Sequence, residues 1–188
     1  MYVKNKFYIK IDKNKPDYLF YSVFGNDEDN KIYDNCIKIA IYTENTIPDL
    51  SSCDYAMGHA HISYFDRYLM FPFCFLGKIK ETKNLNLIKI RNNVIRNPRK
   101  KFCAAVISNV SPKFSDFFRL KFIDELSKYK KVDMGGRYKN NVGGNINNKT
   151  EFLSNYKFSI AMENTNGDGY ISEKIVESFI TGSIPIFD

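Results

Sequence analysis

The densest group of chemistry-bearing residues is Tyr170-Ile171-Ser172-Glu173-Lys174. It follows Glu163-Asn164 and a polar loop, and it opens what reads as a helix. A helix N-terminus carries free N–H groups and partial positive charge, so it suits a phosphate. Lys174, in the first turn, can neutralise a further phosphate charge. Glu173 beside it is unusual at an anion site, but a carboxylate there can accept the hydrogens of ribose hydroxyls. Tyr170 can stack on a base or pack a sugar. An ordinary solvated helix start carries the same Glu–Lys pair, so residue types alone leave a phosphate pocket and a plain surface helix both open.

A second group surrounds Glu44, which ends the run Tyr42-Thr43-Glu44 after the apolar stretch 37–42. A carboxylate at the carboxyl end of a buried strand stands where α/β folds place their chemistry, although polar strand ends are also commonplace. Arg119, taken alone, is a solvent-facing helix residue. Asp27-Glu28-Asp29 has the D-x-D form of a metal–nucleotide signature, but it lies in a charged turn and reads as a solvated loop. His59 and His61 would share one face of a strand; they lack a third ligand, so no metal site is expected. The four cysteines show no C-x-x-C spacing, which speaks against zinc and thioredoxin-like chemistry. Cys36 and Cys103 abut apolar strands and read as buried thiols, which fits a reducing compartment.

The elements that would position these groups alternate between strands and helices. Strands are expected at 7–11, 18–24, 37–42 and 54–58, in the first half of the chain. Residues 65–69, with Phe71-Pro72, read as structural, with Arg67 paired to a carboxylate. Residues 78–99 are polar and weakly periodic, and form the expected boundary between a domain at 1–95 and one at 96–188. The second half then reads strand 102–108, helix 117–129, strand 132–134, a mobile Gly/Asn-rich loop at 140–148, helix 151–156 capped by Thr150, and strand 158–162. Phe118, Phe122 and Leu126 give the first of these helices an apolar stripe. The phosphate-suited loop follows, with a helix capped by Ser172 and closed by Gly182, and a last strand at 184–187. Four strands joined by right-handed crossovers form a parallel sheet.

Composition fits this class. The chain has 188 residues, 44% hydrophobic and 26% charged, with a formal net charge of +7. These proportions are those of a soluble globular protein, and the charge favours an anionic partner such as nucleic acid, a membrane surface or a phosphorylated ligand. The basic residues form short clusters without an RNA-binding aromatic signature, so nucleic acid is not expected. No run of about 18 apolar residues occurs, so no membrane span is expected. Residues 1–12 lack the apolar core of a signal peptide. A cytoplasmic location with room for peripheral membrane contact follows as the expectation.

Glu163-Asn164, Gly169-Tyr170-Ile171-Ser172-Glu173-Lys174-Ile175 and Gly182-Ser183-Ile184-Pro185-Ile186 together resemble the donor-binding motif of the α-1,3/4-fucosyltransferases, glycosyltransferase family ten. Tyr42-Thr43-Glu44-Asn45 and Asp54-Tyr55-Ala56-Met57-Gly58 resemble that family's acceptor-side motif, with Thr43 where many relatives have Gly. Phe102-Cys103-Ala104, Ser108-Asn109, Arg119 and Val132-Asp133-Met134-Gly135-Gly136 continue the likeness. The resemblance implies a GT-B-like α/β fold of two Rossmann-like parallel-sheet halves with a cleft between them. It implies inverting transfer of fucose from GDP-fucose to a GlcNAc- or glucose-containing glycan, without metal or other cofactor. It assigns Glu44 as general base, and Arg119, Asn164, Tyr170, Glu173 and Lys174 as donor-binding residues, with Tyr42 and Glu163 as further donor contacts. Family relatives in eukaryotes are Golgi-anchored. Relatives also carry elements before and after the stretches matched here, so the second half is expected to be truncated.

Two other readings use the same residues. Gly167, Gly169 and Ser172 approach G-x-G-x-x-G, with Asp188 near the ribose-binding spacing, which would suit a nicotinamide dinucleotide. A shortened chain could also be a non-catalytic nucleotide-binding remnant.

Overall fold

The strand at Lys101–Val106 (β5) shows why the second half of the chain folds as it does. Its successive side chains alternate between two faces and nearly all are apolar, so both faces must be covered. Cys103, Ala105 and Ile107 join a core with Ile123 of helix α1 (Phe117–Tyr129) and with Val132 and Met134 of β6 (Val132–Gly135). Ala104, on the other face, packs with Leu153 of α2 (Lys149–Leu153) and with Tyr156, the first residue of β7 (Tyr156–Ile160). Burying a side chain such as Ile123 stabilises the unit by about 1.5–3 kcal/mol. With β8 (Ile184–Ile186) the sheet has the order β6-β5-β7-β8, all parallel. The last helix, α3 (Glu173–Thr181), is capped by Ser172 and ends at Gly182, whose φ of 69° suits a residue without a Cβ. Ser178 of α3 accepts a 2.7 Å hydrogen bond from Ser159 of β7 in the sheet below. Lys149 of α2 pairs with Glu177 of α3.

This is a computed structural model, which describes residues 7–24, 33, 35–71, 74, 101–110, 117–165 and 167–187. The D-x-D at 27–29, the polar stretch 78–99 and Asp188 lie outside the described residues. The chain divides into two compact units, Met1–Phe71 and Pro72–Asp188.

The first unit holds a second parallel sheet, β1 (Tyr18–Ser22), β2 (Ile37–Ile41), β3 (Tyr55–Gly58) and β4 (Tyr68–Met70), in sequential order. Its core is Ala40, Tyr42, Cys53 and Ala56. Two parallel four-stranded sheets, one in each unit, make the chain α/β, as the two expected parallel-sheet halves require.

Several local expectations need correction. Residues 7–11 are not a strand: among the described residues none pairs with them, and Tyr8 and Ile11 are 97% and 83% exposed. Alternation alone does not make a strand where no ladder partner is available. The short helix begins at Lys149, one residue before Thr150, and is capped by Asn148, whose side chain accepts from the Glu151 N–H at 3.1 Å; Tyr156 belongs to β7. Arg67 donates to the carbonyls of Leu50, Cys53 and Asp54 at 2.7–2.9 Å, so its structural partners are backbone oxygens where a carboxylate was expected. The Asn-rich loop is tied to β6. Asn141 accepts from Met134 N–H and donates to Val132 C=O, imitating a further strand along that edge.

Candidate functional site

Residues 161–172 connect the carboxyl end of β7 to α3, and they bring most of the expected donor-side residues to one place. The backbone leaves the sheet through Ala161, whose N–H donates to Ile186 C=O at 2.8 Å, and Met162 and Glu163 remain buried. Glu163 is the hub of the loop. One carboxylate oxygen accepts from the Ser172 N–H at 2.7 Å. The other accepts from the Ser172 hydroxyl at 2.8 Å and from Lys174 Nζ at 2.5 Å. Lys174 Nζ also donates to Ser172 Oγ at 2.8 Å. The Glu163 side chain is 4% exposed and that of Lys174 22%. The ion pair is therefore held largely away from water, where a charge without a partner would be costly. The ends of the loop are thus fastened to each other across ten residues of chain, from Glu163 to Ser172.

Arg119 reaches the same spot from α1. It is buried, and one guanidinium N–H lies 3.4 Å from the Met162 carbonyl, the residue just before Glu163. Within the loop the Tyr170 N–H closes a turn on Gly167 C=O at 3.0 Å, and Gly169 has a φ of 79°. Asn164 and Tyr170 are half-buried, and Glu173 is exposed on the first turn of α3. Cations, a helix N-terminus and hydrogen-bonding side chains thus converge at the carboxyl end of a buried parallel strand, the usual place for an anionic ligand in this class of fold. The length of the connection does not suit the tight glycine turn that cradles a dinucleotide.

Glu44 lies in the other unit, at the carboxyl end of β2. The ladder continues one residue past the strand, with Tyr42 N–H donating to Met57 C=O at 2.8 Å. The Tyr42 ring is buried, and its hydroxyl accepts from the Asp49 N–H at 3.2 Å, folding the segment between them over the strand end. Buried His59 has Nε2 3.1 Å from the Thr43 carbonyl. Gly58 leaves room there, since a Cβ would stand 3.1 Å from the Tyr68 hydroxyl and 3.3 Å from the Tyr42 Cβ. The Thr46 N–H closes back on the Glu44 carbonyl at 2.7 Å. This scaffold leaves the Glu44 side chain exposed to solvent. Among the described residues no cluster of three His, Cys, Asp or Glu side chains could hold a metal ion.

Sequence reasoning did not assign Ser172 and His59 to these sites. Ser172 was legible as a helix cap, but its second bond to Glu163 depends on the loop closing. In the sequence His59 reads only as a candidate metal ligand, because its backbone partner is sixteen residues away.

The profile of the α-(1,3)-fucosyltransferase FucT N-terminal domain matches residues 1–76, and that of the glycosyltransferase family 10 (fucosyltransferase) C-terminal region matches residues 96–187. The chain belongs to the family 10 fucosyltransferases. It is 29% identical to the α-(1,3)-fucosyltransferase FucT of Helicobacter pylori over 91% of this chain and 41% of that protein. A crystal structure of an α1,3-fucosyltransferase superposes with a TM-score of 0.76 and 29% identity, covering 94% of this chain and 57% of the other. One solved with GDP-fucose gives 0.73 and 26%, covering 100% of this chain and 73% of the other. The chain thus spans less than half of the H. pylori family member. Among the described residues no helix is long and apolar enough to cross a membrane.

Proposed function

We propose that this family 10 chain takes part in transferring fucose from GDP-fucose to a GlcNAc- or glucose-containing glycan with inversion at the anomeric carbon. The observation that carries this reading is the convergence of Arg119, Lys174 and the capped N-terminus of α3 on the end of β7. These groups supply positive charge and N–H donors suited to a pyrophosphate. Support also comes from the relative crystallised with GDP-fucose, which matches the whole chain.

In this reading Arg119 and Lys174 face the pyrophosphate and stabilise the charge that grows on it as the sugar leaves. Asn164, Tyr170 and Glu173 contact the nucleotide and the sugar, with Glu173 accepting ribose hydroxyls. Glu44 takes the proton from the acceptor hydroxyl. The hydroxyl oxygen bonds to the fucose anomeric carbon while the bond to the GDP phosphate oxygen breaks, and that electron pair leaves with GDP. Residues 1–95 serve the acceptor side and residues 96–188 the donor side. Cationic side chains carry the leaving-group charge, so the proposed step needs no metal. The net charge of +7 favours peripheral contact with an anionic membrane surface.

The test is turnover of GDP-fucose with a GlcNAc-terminated acceptor, for the native chain and for Glu44→Gln. The variant keeps size and polarity but cannot accept the proton, so the rate should fall about 10²- to 10⁴-fold. Binding of GDP should be unchanged. An unchanged rate would remove Glu44 from the role of base. GDP binding without any turnover would leave a nucleotide-binding protein and refute the transferase reading for this chain.

A further inference from the structure

Glu163 was expected among the groups that touch the donor, yet the structure occupies both of its oxygens. We infer that Glu163 is a positioning residue: its buried carboxylate fastens Ser172 and Lys174, so that these two residues are tied to the end of β7 and the Lys174 ammonium is held at one place. The inference deepens the proposed donor site and rests on that reading only where nucleotide affinity is concerned.

The geometry supports this in three ways. First, the carboxylate accepts from one backbone N–H, one hydroxyl and one ammonium at 2.5–2.8 Å, which leaves little capacity for a ligand hydroxyl. Second, Glu163 is buried more deeply than Lys174, so the partly exposed ammonium is the member of the pair that a ligand can reach. Third, Lys174 spends donors on Glu163 and Ser172, and an ammonium has three. The remaining donor can be offered to a ligand oxygen without breaking the other two bonds. A lysine on a four-carbon stem would otherwise sample many rotamers, and holding it beforehand removes that ordering cost from ligand binding.

Glu163→Gln is the informative change. Glutamine has one acceptor oxygen and one amide NH2, so whichever way it turns, an N–H must face either the Ser172 N–H or the Lys174 ammonium. Two readouts follow. Acylation of Lys174 by an N-hydroxysuccinimide ester, read by peptide mass spectrometry, should speed up several-fold in Glu163→Gln, while Lys128, on the solvent face of α1, keeps its rate. GDP affinity by calorimetry should fall about 5- to 20-fold, within the usual coupling between bonded residues. In a Lys174→Met background, the same Glu163→Gln change should alter GDP affinity less than about twofold, because the group through which it acts is gone.

A merely structural role would give additive losses and an unaltered ratio of Lys174 to Lys128 labelling; either result overturns the inference. If Glu163→Gln does not fold, Ser172→Ala removes the hydroxyl shared by both partners. It should raise Lys174 labelling to a smaller extent, and no rise refutes the positioning role. The labelling arm needs no nucleotide. A native chain that fails to bind GDP would therefore sink the donor-site reading while the placement of Lys174 by Glu163 is still decided.

Discussion

Gly136 closes β6 beneath the carboxyl end of β5, and replacing it with alanine should damage this unit severely. Its φ is +80°, and a Cβ there would stand 2.4 Å from the carbonyl oxygen of Ile107 and 2.7 Å from its carbon. The left-handed backbone costs an alanine about 1–2 kcal/mol. The clash adds to this, because the opposing atoms are backbone held on both sides. Ile107 N–H donates to Gly135 C=O at 3.1 Å, and Ile107 C=O accepts from Tyr138 N–H at 3.0 Å. Forcing such a packed segment aside costs about 1–3 kcal/mol. Alanine recovers about 0.4–1 kcal/mol through a less flexible unfolded chain. The net loss should be about 2–4 kcal/mol, measured by urea unfolding followed by far-UV circular dichroism. Gly135→Ala is the control. There a Cβ would meet the Ile146 side chain at 2.8 Å, so a side chain and not backbone must shift, and the backbone is in an ordinary conformation. Its cost should be less than half as large. If Gly136→Ala is no more damaging than Gly135→Ala, the close backbone approach at Ile107 is wrong.

Three further outcomes are expected. Burial pushes the Asp133 carboxyl up, but the Tyr156 hydroxyl and the ammonium groups of Lys131 and Lys101 outweigh it and hold it below its ordinary value of 3.8. Its stabilising contribution is therefore complete above the ordinary carboxylate range and is lost as pH falls from about 4 through the depressed value. Asp133→Asn should accordingly lower stability at pH 7 by about 1–3 kcal/mol and flatten the acid limb of an unfolding-versus-pH curve. Burial raises the Cys103 thiol to about 12, so in the folded protein at pH 8 a disulfide reagent should label half-buried Cys36 and leave Cys103 until unfolding. Arg67→Lys keeps the charge but cannot span the carbonyls of Leu50, Cys53 and Asp54; unfolding should show a loss of about 1–3 kcal/mol.

Much of the second unit was legible because its elements bury apolar residues at regular spacing. The helix at Phe117–Tyr129 has the expected bounds, but its buried face runs through Arg119 and Ile123, and Phe118 of the expected stripe is 56% exposed; Ser172 and Gly182 bracket α3 as cap chemistry requires. The failures have local causes. Tyr68–Met70 is too short for alternation to declare a strand, and it exists because β3 offers a ladder beside it. Asn148 with Glu151 has the three-residue cap spacing, yet Thr150 offered an equally plausible hydroxyl. Arg67 finds carbonyls because the loop before β3 turns its backbone oxygens inward, which no residue type encodes. At the site, the family motif named Lys174 and Arg119, while the convergence of Glu163, Ser172 and Lys174 had to come from the folded loop. A carboxylate near a proposed phosphate site looks like a ligand contact in one dimension; in three it is the partner of the lysine.

The most direct measurement of the donor-site reading is calorimetric titration of the native chain with GDP, UDP and NAD, each at low and at high salt. GDP should bind tightest, and its affinity should fall as salt rises, because Arg119 and Lys174 meet charged oxygens in a partly solvated site. Equal affinity for the three nucleotides, or GDP binding indifferent to salt, would contradict it.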